Sequence, residues 1–275
     1  MVLSAERRKE LFIRTFSGLT VAAVVLGAII YGEWAWGVVV TVIAGTSLVE
    51  FYRLAGRRLK VSPGIGLIAG VIVLLGVGLA DMGARAILVS LGVTFFMTMT
   101  FEILRRQNSE VSTALENGAG IMAGFVYVVL PWSFAILLRS APAGKILLLT
   151  VFLCTWTCDV FAYLVGTAWG RHKICDQVSP KKTWEGFLSG LAGSFLAASL
   201  MAYLRRFPPF PLLVIAIICG IVGQVGDLAE SILKREVSVK DSGNVLPGHG
   251  GMLDRFDSVL FSLTVVYLLF EVIWR

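Results

Sequence analysis

Nine apolar runs, each close to the length of one bilayer crossing, leave this chain few ways to fold. A helix needs roughly 20 mostly apolar residues to traverse the hydrocarbon core. The runs lie near 15–32, 35–54, 63–80, 84–103, 116–138, 145–169, 185–204, 209–233 and 257–274. Little more than Gly32, Glu33 and Trp34 separates the first two, but together they are twice what a single crossing needs. Charged residues make up 15% of the chain, against roughly 25% in a soluble domain. The expectation is an all-α, polytopic membrane protein of about nine transmembrane helices, with no separate soluble domain, long linker or internal repeat.

Lysine and arginine placement sets the orientation, because cytoplasmic segments carry the excess. With nine crossings and a cytoplasmic N-terminus, 18 of the 24 Lys and Arg residues fall inside and six outside. The net charge of +6 is then mostly a topology signal, and nucleic acid need not be invoked. The charged start, Glu6 to Glu10, followed by an apolar run, reads as a retained first span. Cys154, Cys158, Cys175 and Cys219 form no CxxC pair and read as small buried hydrophobes. A zinc site from Cys158, His172 and Cys175 has no recognised ligand spacing.

The chain divides chemically near its middle, into residues 1–140, about five spans, and residues 141–275, which carry two motif loops at 170–184 and 234–256. The first part is quiet; Glu50 and Glu116 lie near span ends and are taken as interface residues. In the second part Asp159 and Asp227 lie well inside apolar runs. A carboxylate at the middle of a membrane helix costs about 2.5–3.5 kcal/mol on insertion scales and marks a functional position by default. The structural alternative is an ion pair with a Lys or Arg of a neighbouring helix. Asp227, Glu230, Ser231 and Lys234 follow at i, i+3, i+4 and i+7, one face of the eighth helix, with Gln224 a turn earlier. Ala162, Gly166 and Gly170 recur every four residues, a pattern for close helix packing in lipid.

The first loop ends in Ser179-Pro180-Lys181-Lys182-Thr183-Trp184-Glu185-Gly186. Ser179-Pro180 reads as a turn, and Thr183 as the cap of the next helix. Two lysines just before a helix N-terminus suit an anion. The second loop holds Lys234, Arg235, Lys240, Arg255, His249, Gly248, Gly250 and Gly251, with Asp254 and Asp257 spaced i, i+3. Carboxylates with oxygen ligands suit Mg²⁺, which also takes substrate phosphates. The cations suit a polyphosphate. Together they point to phosphoryl chemistry, although no GxxxxGK(S/T) loop is present.

The segment from Ser231 through Lys234, Arg235, Lys240, Asp241, Gly243, Leu246, Pro247, His249, Gly250, Gly251, Met252, Asp254, Arg255, Phe256 and Asp257 spans 27 residues. It resembles, in residues and spacing, the signature of the phosphatidate cytidylyltransferases (CDP-diacylglycerol synthases). Asp159, Tyr163, Gly166, Gly170 and Arg171, and the segment from Ser179 to Gly186, are similar to other recurring segments of that family. The resemblance covers roughly residues 155–260 and implies a Mg²⁺-dependent nucleotidyltransferase of phospholipid biosynthesis. It would convert CTP and phosphatidate, a membrane lipid, into CDP-diacylglycerol and pyrophosphate.

On this resemblance Asp227 and Asp254 are expected to hold Mg²⁺, with Asp257 a third carboxylate or a ligand to a second cation of open identity. Lys234, Arg235, Lys240 and Arg255 would contact phosphates of CTP or lipid. Lys181 and Lys182 would help bind the triphosphate or the phosphatidate head group. His249 would donate to the leaving pyrophosphate or position it; Ser231 and Asp159 are supporting polar groups. A bacterial cytoplasmic (inner) membrane location is expected, with the active site facing the cytoplasm, and a homo-oligomer, taken as a dimer. The rivals are another CTP-using membrane enzyme, such as a polyprenol kinase, and an ion-relaying transporter.

Overall fold

The computed structural model describes the backbone of residues 5–79, 83–109, 112–248 and 250–273, and the side chains of these except 5–12, 79, 84, 272 and 273. Among the described residues it is helical almost throughout. The helices are α1 (Ala5–Tyr31), α2 (Glu33–Ala55), α3 (Pro63–Leu79), α4 (Gly83–Ser109), α5 (Ala114–Ser140), α6 (Gly144–Trp169), α7 (Trp184–Arg205), α8 (Pro209–Glu236) and α9 (Leu253–Ile273). One short hairpin, β1 (Lys173–Cys175) and β2 (Ser179–Thr183), lies between α6 and α7. Among the described residues, seven of these helices, all but α3 and α9, are long and apolar enough to cross a membrane by length and composition. The protein is thus a polytopic all-α membrane protein.

Local sequence explains many of the boundaries. Gly32 parts α1 from α2, and Glu33 stands in the first turn of α2, where a carboxylate complements the helix dipole. The Thr183 hydroxyl accepts the Gly186 N–H at 3.2 Å and caps α7, as the sequence suggests. Arg206 closes α7 in the left-handed conformation, φ 49°. Pro209 then opens α8 at a position where a missing N–H leaves no bond unmade. Both α5 and α8 contain a π-helical turn, at Phe125–Val129 and Cys219–Gly223. Such turns insert an extra residue and re-phase the helix, often near functional groups; the one in α8 ends directly before Gln224 and Asp227.

Contacts divide the chain into two compact units. One holds the described residues up to Leu137 together with Val239–Arg255; the other holds Leu138–Ser238 and the residues from Phe256 onward. The second motif loop therefore packs with the N-terminal helices. In that unit Trp36 and Trp132 are fully buried, their rings 6.4 Å apart, and the Trp36 indole N–H donates to the Ala135 carbonyl at 3.0 Å. In the other unit Phe152 and Phe256 meet edge to face at 6.4 Å.

Helices α6 and α7 touch along their small residues. A methyl group placed on Gly186 would sit 2.9 Å from the Ala162 carbonyl, and one on Gly190 would sit 2.8 Å from the Cys158 sulfur. The four-residue spacing of Ala162, Gly166 and Gly170 thus marks a real close approach of backbones. Cys154, Cys158 and Cys219 are buried free thiols, as expected, but Cys175 is corrected: it is exposed, because it ends strand β1 of the hairpin and not an apolar helix. The turn reading is corrected too: Ser179 and Pro180 start strand β2, and the turn is formed by residues 176–178. The antiparallel register, Lys173 opposite Thr183 and Cys175 opposite Ser179, extends the chain through a segment whose proline had suggested a bend.

Candidate functional site

The hairpin carries the two lysines of the first loop. Glu185, in the first turn of α7, accepts the backbone N–H of Arg171 at 3.1 Å and of His172 at 3.3 Å, and its carboxylate lies 2.6 Å from His172 Nδ1. The His172 carbonyl accepts the Trp184 N–H at 2.8 Å. These bonds hold β1 against the start of α7. Along β2, Lys181 is exposed and Lys182 half-buried.

Lys182 meets the polar face of α8. Its Nζ lies 2.8 Å from Asp227 Oδ2 and donates to the Gln224 carbonyl at 3.3 Å. One turn on, Lys234 Nζ lies 2.7 Å from Oε2 of Glu230, a carboxylate with no solvent exposure. Ser231 Oγ lies 3.5 Å from Asp227 Oδ1, at the outer limit of hydrogen bonding. Asp257, in α9, is buried and accepts the Ser258 N–H at 2.6 Å. It lies close enough to Asp227, Lys234 and Glu230 to feel their charges. Arg235 donates from Nε to the Val178 carbonyl at 3.3 Å. The face read from helical periodicity is therefore a connected set of charges. It also supplies the lysine partner that the structural alternative for Asp227 required, from strand β2 and not from a neighbouring helix.

Asp159 and Tyr163, one turn apart in α6, are both exposed.

Asp254, Lys240 and Arg255 belong to the other unit. Asp254 Oδ2 accepts three bonds: the Ser242 N–H at 2.9 Å, the Ser242 hydroxyl at 2.9 Å and the Gly251 N–H at 2.8 Å. The loop is drawn tight by the Leu246 N–H donating to the Gly250 carbonyl at 3.0 Å. Gly250 has φ 81°, a conformation L side chains rarely adopt, and a methyl there would sit 2.9 Å from Asp254 Oδ2. Lys240 and Arg255 are exposed at the two ends of this loop. His249 lies outside the described residues.

One carboxylate was placed differently by the sequence. Glu50 of α2, taken as an interface residue, is 1% exposed and grips the second loop. It accepts the Met252 N–H at 3.0 Å and the Leu253 N–H at 2.8 Å, and its Oε2 lies 3.3 Å from the Ser242 hydroxyl. The signal available beforehand was an acidic residue within an apolar run. Its partners, some two hundred positions away, left no local trace.

Among the described residues, no three His, Cys, Asp or Glu side chains converge as an all-protein metal cage. A hard cation held by one or two carboxylates and completed by water and substrate phosphates needs no such cage. Asp227 and Asp257 in one unit, and Asp254 in the other, are each oxygen-only donors of the kind that fits Mg²⁺ by its chemistry.

These features define a class: a multi-span helical membrane protein whose carboxylates, lysines and arginines suit a phosphorylated ligand. The profile of the cytidylyltransferase family matches residues 12–273, and the chain belongs to that family. It is 31% identical over 270 residues to a phosphatidate cytidylyltransferase of Bacillus subtilis, covering 93% of this chain and 96% of the relative. A phosphatidate cytidylyltransferase of Staphylococcus haemolyticus is 32% identical over 260 residues, covering 94% and 98%. One from Rickettsia bellii is 33% identical over 157 residues, covering 54% and 68%.

Proposed function

We propose that this protein makes CDP-diacylglycerol and pyrophosphate from CTP and phosphatidate, a step of phospholipid biosynthesis. The observation that carries the reading is the connected polar face of α8, Asp227, Glu230, Ser231 and Lys234 with Lys182 upon it, in a chain of the cytidylyltransferase family. A phosphate oxygen of the lipid attacks the α-phosphorus of CTP. The new P–O bond forms as the bond to the bridging oxygen breaks, and pyrophosphate departs with that electron pair. Phosphatidate is already anionic near neutral pH, so no side chain need remove a proton from it.

The chain's own groups orient and neutralise. Lys182, Lys234, Arg235, Lys240 and Arg255 bind phosphates of the two substrates, and Lys181 adds charge at the rim of the hairpin. Fixed cations at the places where charge develops act without reorganising during the reaction. Ser231 supports the Asp227 carboxylate, and His249 positions the departing pyrophosphate. Asp227, Asp254 and Asp257 would hold Mg²⁺, which when bound neutralises phosphate charge and polarises the reacting phosphorus.

The chain crosses a bacterial cytoplasmic membrane nine times with its N-terminus inside, in keeping with the lysine and arginine split. Its two motif loops then face the cytoplasmic pool of CTP, and α8 carries polar groups toward the level of lipid head groups. The test is conversion of labelled CTP to a lipid-extractable product by the purified protein in detergent, with phosphatidate and Mg²⁺ each omitted in turn. Label in the lipid phase only when both are present supports the reading. Label with another lipid phosphate or a prenol, and none with phosphatidate, overturns it.

A further inference from the structure

The strongest unexplained feature is the burial of a carboxylate from the chemically quiet half of the chain inside the signature loop. Glu50 and residues 239–255 belong to one compact unit. Glu50 spends one oxygen on each of two consecutive N–H groups, Met252 to Oε1 and Leu253 to Oε2. Met252 stands just before α9 and Leu253 is its first residue; amides at a helix start have no partner within the helix, and a negative charge there also meets the positive end of the helix dipole. The fit leaves no slack. A methyl group on Gly251 would sit 2.6 Å from Glu50 Oε2, and one on Gly243 would collide with the same carboxylate.

The next residue in the chain after Leu253 is Asp254. It is tied to Glu50 by a second route, since both carboxylates reach the Ser242 hydroxyl, Asp254 at 2.9 Å and Glu50 at 3.3 Å. A hydroxyl has one proton to give, and the shorter contact directs it to Asp254. Glu50 therefore fixes the backbone on one side of Asp254 and the serine that orients its carboxylate on the other.

We infer that Glu50 is the positioning residue of the second motif loop, holding the first turn of α9 and Ser242 so that Asp254 presents its carboxylate, in one orientation, to the cation it would hold. The inference rests on the cytidylyl-transfer reading above for the role of Asp254. It rests on geometry alone for the clasp.

The test compares wild-type protein with Glu50→Gln, Glu50→Asp, Ser242→Ala and Asp254→Asn, all full-length in detergent. Three quantities are read: kcat and KM for phosphatidate, the rate of tryptic cleavage after Lys240 and Arg255, and the thermal unfolding midpoint. In Glu50→Gln one of the two N–H groups faces an amide NH₂ in place of an oxygen. Expected are a kcat at least tenfold lower per folded molecule, a KM within twofold, and tryptic cleavage at least threefold faster. Glu50→Asp keeps both oxygens and recovers part of kcat. Ser242→Ala, which removes only the shared hydroxyl, lowers kcat with the same unchanged KM and keeps the test open if Glu50→Gln does not fold. Wild-type cleavage and kcat in Glu50→Gln overturn the clasp. A loss of activity that only tracks loss of folded protein, without recovery in Glu50→Asp, overturns positioning in favour of a structural role. Full activity in Asp254→Asn overturns the role of Asp254 itself, and the tryptic result separates that outcome from failure of the clasp.

Discussion

Replacing Lys182 by methionine separates a phosphate-binding lysine from a structural one. Methionine keeps an apolar stem of comparable reach and removes the charge, so packing along the stem is largely retained. Lys182 Nζ lies 2.8 Å from Asp227 Oδ2, but the two side chains are 21% and 37% exposed. On the proposed reading CTP reaches this face from water, where such a pair is screened and contributes about 0.2–1 kcal/mol. A loss of that size lowers the unfolding midpoint of a chain this long by no more than about 2–4 °C. If Lys182 binds a phosphate during the transfer, losing a pre-placed charged donor costs about 2.7–4 kcal/mol of transition-state stabilisation, or about 10²–10³ in rate. The assay is labelled CTP incorporation into lipid per folded molecule, taken from the monodisperse size-exclusion peak, beside a thermal melt of the same sample. A fall of kcat/KM by about two orders of magnitude with a nearly unchanged melt is expected. A melt lowered by about 10 °C or more with kcat/KM within about threefold would refute the reasoning, because the pair would then belong to the fold.

Asp227→Asn and Asp254→Asn should each reduce turnover at least about 100-fold while the protein remains folded; near-wild-type activity in either overturns the proposed role of that carboxylate in holding a cation. Gly250→Ala forces an L side chain into φ 81° against Asp254, a strain of about 1–3 kcal/mol. It should lower kcat far more than it lowers the melting midpoint, and an unchanged kcat would show that the tight loop is dispensable. In folded protein a maleimide should modify Cys175 alone, since the other three thiols are buried, whereas all four react in denaturing detergent. Mass spectrometry showing a second label on the native protein would contradict the packing of α6 and α8.

The connected charges of α8 and the anchored loop show where local pattern suffices and where it does not. Asp227, Glu230, Ser231 and Lys234 could be put on one face because they sit on one helix, whose period is a property of the backbone. The same holds for the Thr183 cap, which needs only the next three residues, and for the small-residue edge of α6. The turn assigned to Ser179-Pro180 failed because a strand is decided by its partner, here Lys173–Cys175. Proline is tolerated at the outer edge of such a pairing. Glu50 was underrated because burial in α2 is set by what packs over it. Its partners Ser242, Met252 and Leu253 are 192 to 203 positions away.

What the sequence determined by itself is the solvent and the chemistry. Long apolar runs commit the chain to lipid, because only a helix of that length crosses the hydrocarbon core with its backbone bonds made internally. The 27-residue segment from Ser231 to Asp257 carries the family signature in its own spacing. What only the tertiary structure decided is the company each charge keeps: Lys182 on Asp227, Lys234 on Glu230, and Glu50 beneath the loop of Asp254. A buried carboxylate must find donors wherever packing brings them, and packing joins residues by position in space, which no periodicity along the chain records.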